Sequence, residues 1–453
     1  GEAERLTESK AGVQSFTWSP DGKTIAYLAL RELTPAEEKK EKAKDDAIVV
    51  DGDFRFNRLW TIDVATKKPT ELVGGEFQLG SPDWSPDGTK IAYTVVPTPK
   101  ADDGSRSDLY VATVATKEAR KILDNPGPDA GPRWSPDGRS IAFLSRRDLF
   151  GQLDLMVIPA DGDAAPRPVT SGFLYQAGPA TWSADGGKIY FTASVRTTSQ
   201  LFSVPAAGGT PKQLTDHQAI IGSPTFSADR QTLAFTMGDI AHPNDVYLVR
   251  DATRPVPEKL TNHNPLTAEL TLGRGEVIRW KSTDGMEIEG VVVYPVDYQP
   301  GKRYPTMAFI HGGPSGVWTQ AFPASWGNYG HVYAGRGWVS FYPNVRGSSG
   351  YGETFLKANV RDWGGGDYRD IQSGLDELVR RGIADPARMG QSGWSYGGYM
   401  TAWTLTQTDR FKGVMVGAGL LAGLGAGAID AGINAFAAAR FSPRLVSWLH
   451  ACY

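Results

Sequence analysis

The chain holds a single cysteine, Cys452, among 453 residues, so no internal disulfide framework exists and stability must come from packing. It has no apolar run of the roughly 20 residues that span a bilayer. It also lacks a dominant charge. Lys and Arg number 47 against 50 Asp and Glu, a net charge of -3, which gives no electrostatic footprint for nucleic acid. Position 1 is glycine, and no charged-then-apolar leader follows, which leaves a removed leader or a fragment. The compartment therefore stays open between cytoplasm and periplasm. Turn formers are plentiful, with 53 glycines and 30 prolines in a chain that is 40% hydrophobic and 21% charged, a globular composition. At roughly 100–200 residues per domain, this length predicts two domains or more.

The first half repeats. "FTWSPDGKTIAYLAL" (16–30), "PDWSPDGTKIAYTVV" (82–96), "PRWSPDGRSIAFLSR" (132–146), "ATWSADGGKIYFTAS" (180–194) and "PTFSADRQTLAFTMG" (224–238) are copies of one unit. Ser-Pro-Asp-Gly places Pro at i+1 and Gly at i+3 of a type I turn, with Asp able to bond its own backbone. The Ile-Ala-Tyr or Ile-Ala-Phe that follows alternates on a strand period. A third strand is predicted later in each unit, at 59–64, 109–114, 153–158, 201–205 and 246–251, and a weaker fourth after it. Four short strands per unit of roughly 45 residues predict the blades of a β-propeller. The anchors Trp18, Trp84, Trp134, Trp182 and Phe226 are read as packing between blades. "PAEEKKEKAKDDA" (35–47), inside the first unit, reads as a solvated loop or short helix. "ERLTES" near the start copies the fourth-strand element with no blade of its own, which predicts blades lost from the N-terminus. The five visible blades are thus expected to belong to a seven- or eight-bladed propeller.

The pattern divides the chain into a propeller (1–263), a linker (264–274), an α/β domain (275–419) and an Ala/Gly-rich tail (420–453). In 275–296 a hairpin is predicted around Thr283-Asp284-Gly285. "YPTMAFIHGGPSG" (304–316) and "GWVSFYPNVRGSSGYG" (337–352) each read as a buried strand running into a loop. Residues 367–382 have helical spacing, and 386–419 read as strand, turn, helix and strand. Strands alternating with helices mean a parallel sheet.

Inside "GQSGWSYGGYM" (390–400), Gly393-Trp394-Ser395-Tyr396-Gly397 is a G-x-S-x-G pattern, which puts a nucleophilic serine on a tight strand-to-helix turn. An earlier strand ends in His311-Gly312-Gly313-Pro314, where the second donor of an oxyanion hole is expected. The backbone N–H groups of Gly313 and Tyr396 are accordingly assigned to the oxyanion. His311 at the mouth of that loop is read as structural rather than as a base, and no pattern recommends His331. Acyl transfer of this kind calls for no cofactor and no metal.

With both halves in view the chain resembles the prolyl oligopeptidase family of serine peptidases, and most nearly its acylaminoacyl-peptidase and dipeptidyl-aminopeptidase-like bacterial branch. The Trp-Ser-Pro-Asp-Gly units, "HGGP" (311–314), "NVRGSSGYG" (344–352) and "GWSYGGYM" (393–400) carry the resemblance. It implies a propeller capping an α/β-hydrolase domain, with short peptides as substrates because the cap excludes folded proteins. By position, Ser395 is the nucleophile, Gly313 and Tyr396 form the oxyanion hole, and Arg346 either shapes the adjoining loop or is purely structural. Neither nucleic acid nor a membrane is an expected partner, and the sequence carries no signal for an oligomeric state. The paired glutamates with which some relatives grip a free N-terminus have no counterpart here.

The triad of such hydrolases runs Ser, then Asp or Glu, then His along the chain. After Gly419 only Asp430 and His450 have that chemistry and order, and neither lies in a strand-then-loop setting. The α/β-hydrolase domain is therefore expected to be incomplete, through truncation, a shifted reading frame or a fusion, and this polypeptide to be a poor catalyst. A carboxylesterase and a non-catalytic binding propeller with a vestigial hydrolase domain are the alternatives.

Overall fold

Each Ser-Pro-Asp-Gly turn is closed by the same bonds. In the first, Gly22 N donates to Ser19 O at 2.9 Å, with Gly22 at φ 69°. Asp21 Oδ1 accepts from Ser19 Oγ at 2.6 Å and from Lys23 N at 3.0 Å, so the carboxylate locks the turn it belongs to. The same serine–aspartate bond recurs at Ser85–Asp87, Ser135–Asp137, Ser183–Asp185 and Ser227–Asp229. The computed structural model describes residues 2–419, apart from 46, 48, 50, 126, 147, 149, 228, 252–255 and 326.

These turns sit between the first and second strands of five four-stranded antiparallel units. The first unit pairs Ser15–Trp18, Thr24–Leu30, Asn57–Asp63 and Pro69–Val73 in sequence order. The others begin at Gln78–Trp84, Asp129–Trp134, Thr181–Trp182 and Ile220–Phe226. A single parallel bridge, Ser199 to Ile220, joins the last two into one sheet. The charged insert forms a solvated helix, Pro35–Lys42, started by a capping box between Thr34 and Glu37.

Trp18, the first aromatic anchor, is half exposed and departs from the expected packing between blades, whereas the later tryptophans are linked to the preceding blade by hydrogen bonds. Trp84 Nε1 donates to Thr17 O at 3.2 Å, Trp134 Nε1 to Asp83 O at 3.2 Å, and Trp182 Nε1 to Arg133 O at 3.0 Å. Each indole thus staples its blade to the one before. Phe226 has no N–H, and there Arg230 Nη1 makes the equivalent bond to Trp182 O at 3.0 Å. The "ERLTES" segment departs from expectation. It forms no strand, because no third strand lies beside it among the described residues, and Leu6 packs instead against Ile25, Tyr27 and Ile62.

The second half builds a six-stranded sheet from β1 (Gly275–Lys281), β2 (Glu287–Val293), β3 (Tyr304–Ile310), β4 (Val339–Asn344), β5 (Ala384–Trp394) and β6 (Phe411–Gly417). Its order is β1-β2-β4-β3-β5-β6. β1 and β2 form the predicted hairpin, β2 runs antiparallel to β4, and β4, β3, β5 and β6 are parallel. Four helices connect it: α1 (Gly330–Gly335), α2 (Glu353–Leu356), α3 (Gly366–Arg380) and α4 (Tyr396–Gln407). In α3, Ile371, Leu375 and Leu378 repeat at helical spacing and pack into the sheet's main core with Phe341 and Met400.

The two halves meet at hairpin tips. In the fourth blade Arg196 N donates to Gly350 O at 2.8 Å, and its guanidinium reaches the buried Glu289 on β2 at 2.9 Å. Arg279 and the Tyr351 hydroxyl complete the partners of Glu289, at 2.8 and 3.1 Å. In the fifth blade Ile240 packs beside Val291, Val293 and Ala334, and its carbonyl accepts from His331 Nε2 at 2.7 Å.

Two outcomes test this architecture. Trp134→Phe, which deletes the staple and leaves a small cavity, should cost about 1–3 kcal/mol, and Trp134→Ala about 3–5 kcal/mol, in urea unfolding. Asp129, buried beside Ser145 and Asn125, has its carboxyl pushed up to about 7 by burial. It binds its proton more tightly folded than unfolded, so its stabilising contribution is full below about pH 4 and is lost as pH rises through about 7. Asp129→Asn should therefore gain on the wild type between pH 4 and 8, by up to about 4 kcal/mol, in melting temperatures taken across that range.

Candidate active site

Ser395 stands between β5 and α4 with φ 58° and ψ −122°, a backbone region that costs of order 1–3 kcal/mol for a residue with a side chain. Two close approaches hold it there. A Cβ on Gly393 would lie 2.2 Å from Gly397 O, and one on Gly397 would lie 2.2 Å from Ile310 O. Only glycine fits at either place, which is the physical content of the G-x-S-x-G pattern. Ser395 N donates to Gly417 O on β6 at 2.9 Å, and Ser395 O accepts from Tyr399 N at 2.9 Å. The serine itself is partly exposed.

The loop after β3 lies against this elbow, since a Cβ on Gly312 would stand 3.5 Å from Ser395 Cβ. Gly313 has φ 127°, a conformation open to glycine, and its N–H donates to no protein acceptor among the described residues. Tyr396 is the first residue of α4, where an N–H has no partner within the helix. The structure thus puts both expected oxyanion donors on segments that adjoin Ser395.

His311 is structural, as its place in the loop predicts. Nδ1 lies 2.9 Å from Gly312 O, which requires a proton there, and Nε2 lies 2.8 Å from Ser348 Oγ, a hydroxyl that also lies 2.6 Å from Val345 O. Burial holds its pKa down at about 4, so the ring is neutral and both nitrogens are occupied. The imidazole ties the 311–316 loop to the 345–350 loop. His331 is committed to Ile240 O, and burial lowers its pKa too. Among the described residues no histidine bonds Ser395. The other two candidates, Asp430 and His450, lie outside the described residues.

Arg346 is tied down on both sides by carboxylates. Its guanidinium is clasped by Asp284, at 2.7 and 3.1 Å, and by the fully buried Asp370, at 2.8 and 3.0 Å. The paired guanidinium holds the Asp284 carboxyl down at about 2, while the two carboxylates raise Arg346 above its ordinary range. A second buried carboxylate escaped the sequence reading. Asp367, one turn before Asp370 on α3, accepts the Tyr396 hydroxyl at 2.5 Å. The "DYRD" spacing on a helix was its only signal, and nothing in it named a partner 29 residues away.

If Arg346 is a clasp, Arg346→Met should cost about 3–5 kcal/mol, because Asp370 is left charged and buried. Adding Asp370→Leu should recover most of that loss in chemical denaturation.

A model of the prolyl oligopeptidase family matches residues 327–430, and a model of the TolB beta propeller domain matches residues 51–268. The chain is 32% identical over 452 residues to the uncharacterized peptidase YuxL of Bacillus subtilis, covering 91% of this chain and 66% of that protein. It is 28% identical over 415 residues to dipeptidyl-peptidase 5 of Porphyromonas gingivalis, covering 90% of this chain and 51% of the relative. The chain therefore spans about half to two-thirds of the length of these relatives. Among solved structures, the acylaminoacyl peptidase of Pyrococcus horikoshii matches with a TM-score of 0.73 at 22% identity, over 92% of this chain and 64% of that one, a likeness of fold. Together with the nucleophile elbow, its glycines and the order of the two halves, these matches show that the chain belongs to the prolyl oligopeptidase family, with a β-propeller preceding an α/β-hydrolase sheet.

Proposed function

We propose that this chain carries the nucleophile of a serine-type peptidase that cleaves short peptides through an acyl-enzyme on Ser395. The observation that carries the reading is the positive-φ serine at the β5–α4 junction, partly exposed and set beside a helix N-terminus and a glycine loop. In this scheme Oγ attacks the scissile carbonyl carbon as a general base removes its proton. The carbonyl oxygen becomes an oxyanion and takes the N–H groups of Tyr396 and Gly313; one such donor is worth about two to three orders of magnitude in rate. Collapse breaks the C–N bond and releases the amine with the base's proton. Water then attacks the ester carbon and returns the serine.

No histidine among the described residues bonds Ser395, and His311 and His331 are each bonded elsewhere; Asp430 and His450 stand outside the described residues. Loss of a triad base lowers turnover by about a million-fold. The short-peptide assignment draws support from the seam. The loop that leaves Gly313 runs to Gln320, whose N donates to Thr197 O of the fourth-blade hairpin at 2.8 Å. A propeller hairpin is thus bonded to the segment that follows the oxyanion loop, the contact expected of a propeller that limits access to the site.

A fluorophosphonate probe should label Ser395, and Ser395→Ala should abolish the label; a wild-type chain that takes no label would remove the catalytic reading. Hydrolysis of a short peptide p-nitroanilide is expected to be slow, with casein left uncut. Turnover of p-nitrophenyl esters alone would instead mark a carboxylesterase.

A further inference from the structure

The acyl-transfer scheme leaves unused a cluster behind the elbow. Asp367, fully buried, accepts from Gly364 N at 2.9 Å and Tyr368 N at 2.8 Å through Oδ1, and from the Tyr396 hydroxyl through Oδ2. Tyr396 is also fully buried, and Trp363 meets its ring edge-on with centroids 5.4 Å apart. Farther along α4, the Tyr399 hydroxyl donates to Trp363 O at 3.2 Å and Trp403 Nε1 to Gly364 O at 2.8 Å. Positions 396, 399 and 403 share one helix face, so the segment 363–367 grips α4 along two turns.

The first of these grips falls on the residue that supplies the oxyanion donor. The N–H of Tyr396 and its side chain leave the same Cα, at the first position of a helix, where ends fray. A ring wedged by Trp363 and a hydroxyl tied to Asp367 remove that freedom. A misplacement of about 1 Å at a reacting centre can cost 10²-fold in rate.

We propose that Asp367 is a positioning residue for the nucleophile elbow: by holding the Tyr396 hydroxyl it fixes the peptide between Ser395 and Tyr396 and aims the Tyr396 N–H at the oxyanion. The catalytic half of this rests on the acyl-transfer reading above; the structural half stands by itself. Holding a carboxyl there is unfavourable alone, since burial pushes Asp367 up to about 6. Burial and the neighbouring carboxyl likewise raise the Tyr396 hydroxyl well above its ordinary range.

The test uses the full chain with Tyr396→Phe, which keeps the ring and deletes only the hydroxyl, and with Tyr396→Phe combined with Asp367→Asn. Three quantities are read: the rate of Ser395 acylation by a fluorophosphonate, the melting temperature, and amide exchange over 393–399. Tyr396→Phe should slow acylation about 10–100-fold and speed exchange in that segment at least about tenfold. The double variant should recover melting temperature, because no carboxylate is left without its partner, while acylation stays slow. Acylation that recovers along with stability would overturn the positioning role and leave a merely structural pair. Unchanged exchange in Tyr396→Phe would overturn it as well. A wild-type chain that never acylates would instead defeat the acyl-transfer reading, and the exchange ratio alone would then decide the role of Asp367.

Discussion

The hydrolase half depends on one steric constraint, the approach of three backbone segments around Ser395. Gly393 meets Gly397, Gly397 meets the end of β3, and Gly398 would bring a Cβ within 2.2 Å of Gly417 O at the end of β6. The serine takes its costly conformation because the sheet and α4 leave no other path for the chain. Everything nearby serves to keep these segments in register. β3 and β5 pair in parallel from Thr306 to Ile310, so the oxyanion loop and the elbow leave the same sheet edge side by side.

Three polar groups buried around this point are bonded to partners from distant parts of the chain. His311 links the loops after β3 and β4, and Arg346 links the β1–β2 turn to α3. Glu289 links the sheet to a propeller hairpin. Each is expensive to bury and acceptable only because its bonds are complete. The result is a site whose loops are defined by cross-links rather than by regular secondary structure.

Much of this was legible in the sequence. Repeated turn chemistry gave the blades, because Ser, Asp and Gly act within five residues of one another. The elbow was legible for the same reason, since its glycines answer a local clash. The "ERLTES" strand was misjudged because a strand needs a neighbour, and composition does not say whether one is there. Arg346 was left open and Asp367 missed because both act through partners far along the chain, and a single charged residue in one sequence does not name its counterpart. The indole staples were read as packing alone, since the carbonyl they seek carries no side-chain signature.

The spacing of Asp367 and Asp370 has a mechanical consequence. They project from the first two turns of α3, one to the nucleophile helix and the other to the loop after β4. The helix is therefore a shared bracket, and any slide or rotation of it displaces both halves of the site together. Its seating is set by Ile371, Leu375 and Leu378, on the face that enters the core. Apolar substitutions there, remote from any reacting atom, would adjust two loops in concert, so their effects and those of changes at the elbow would not add independently.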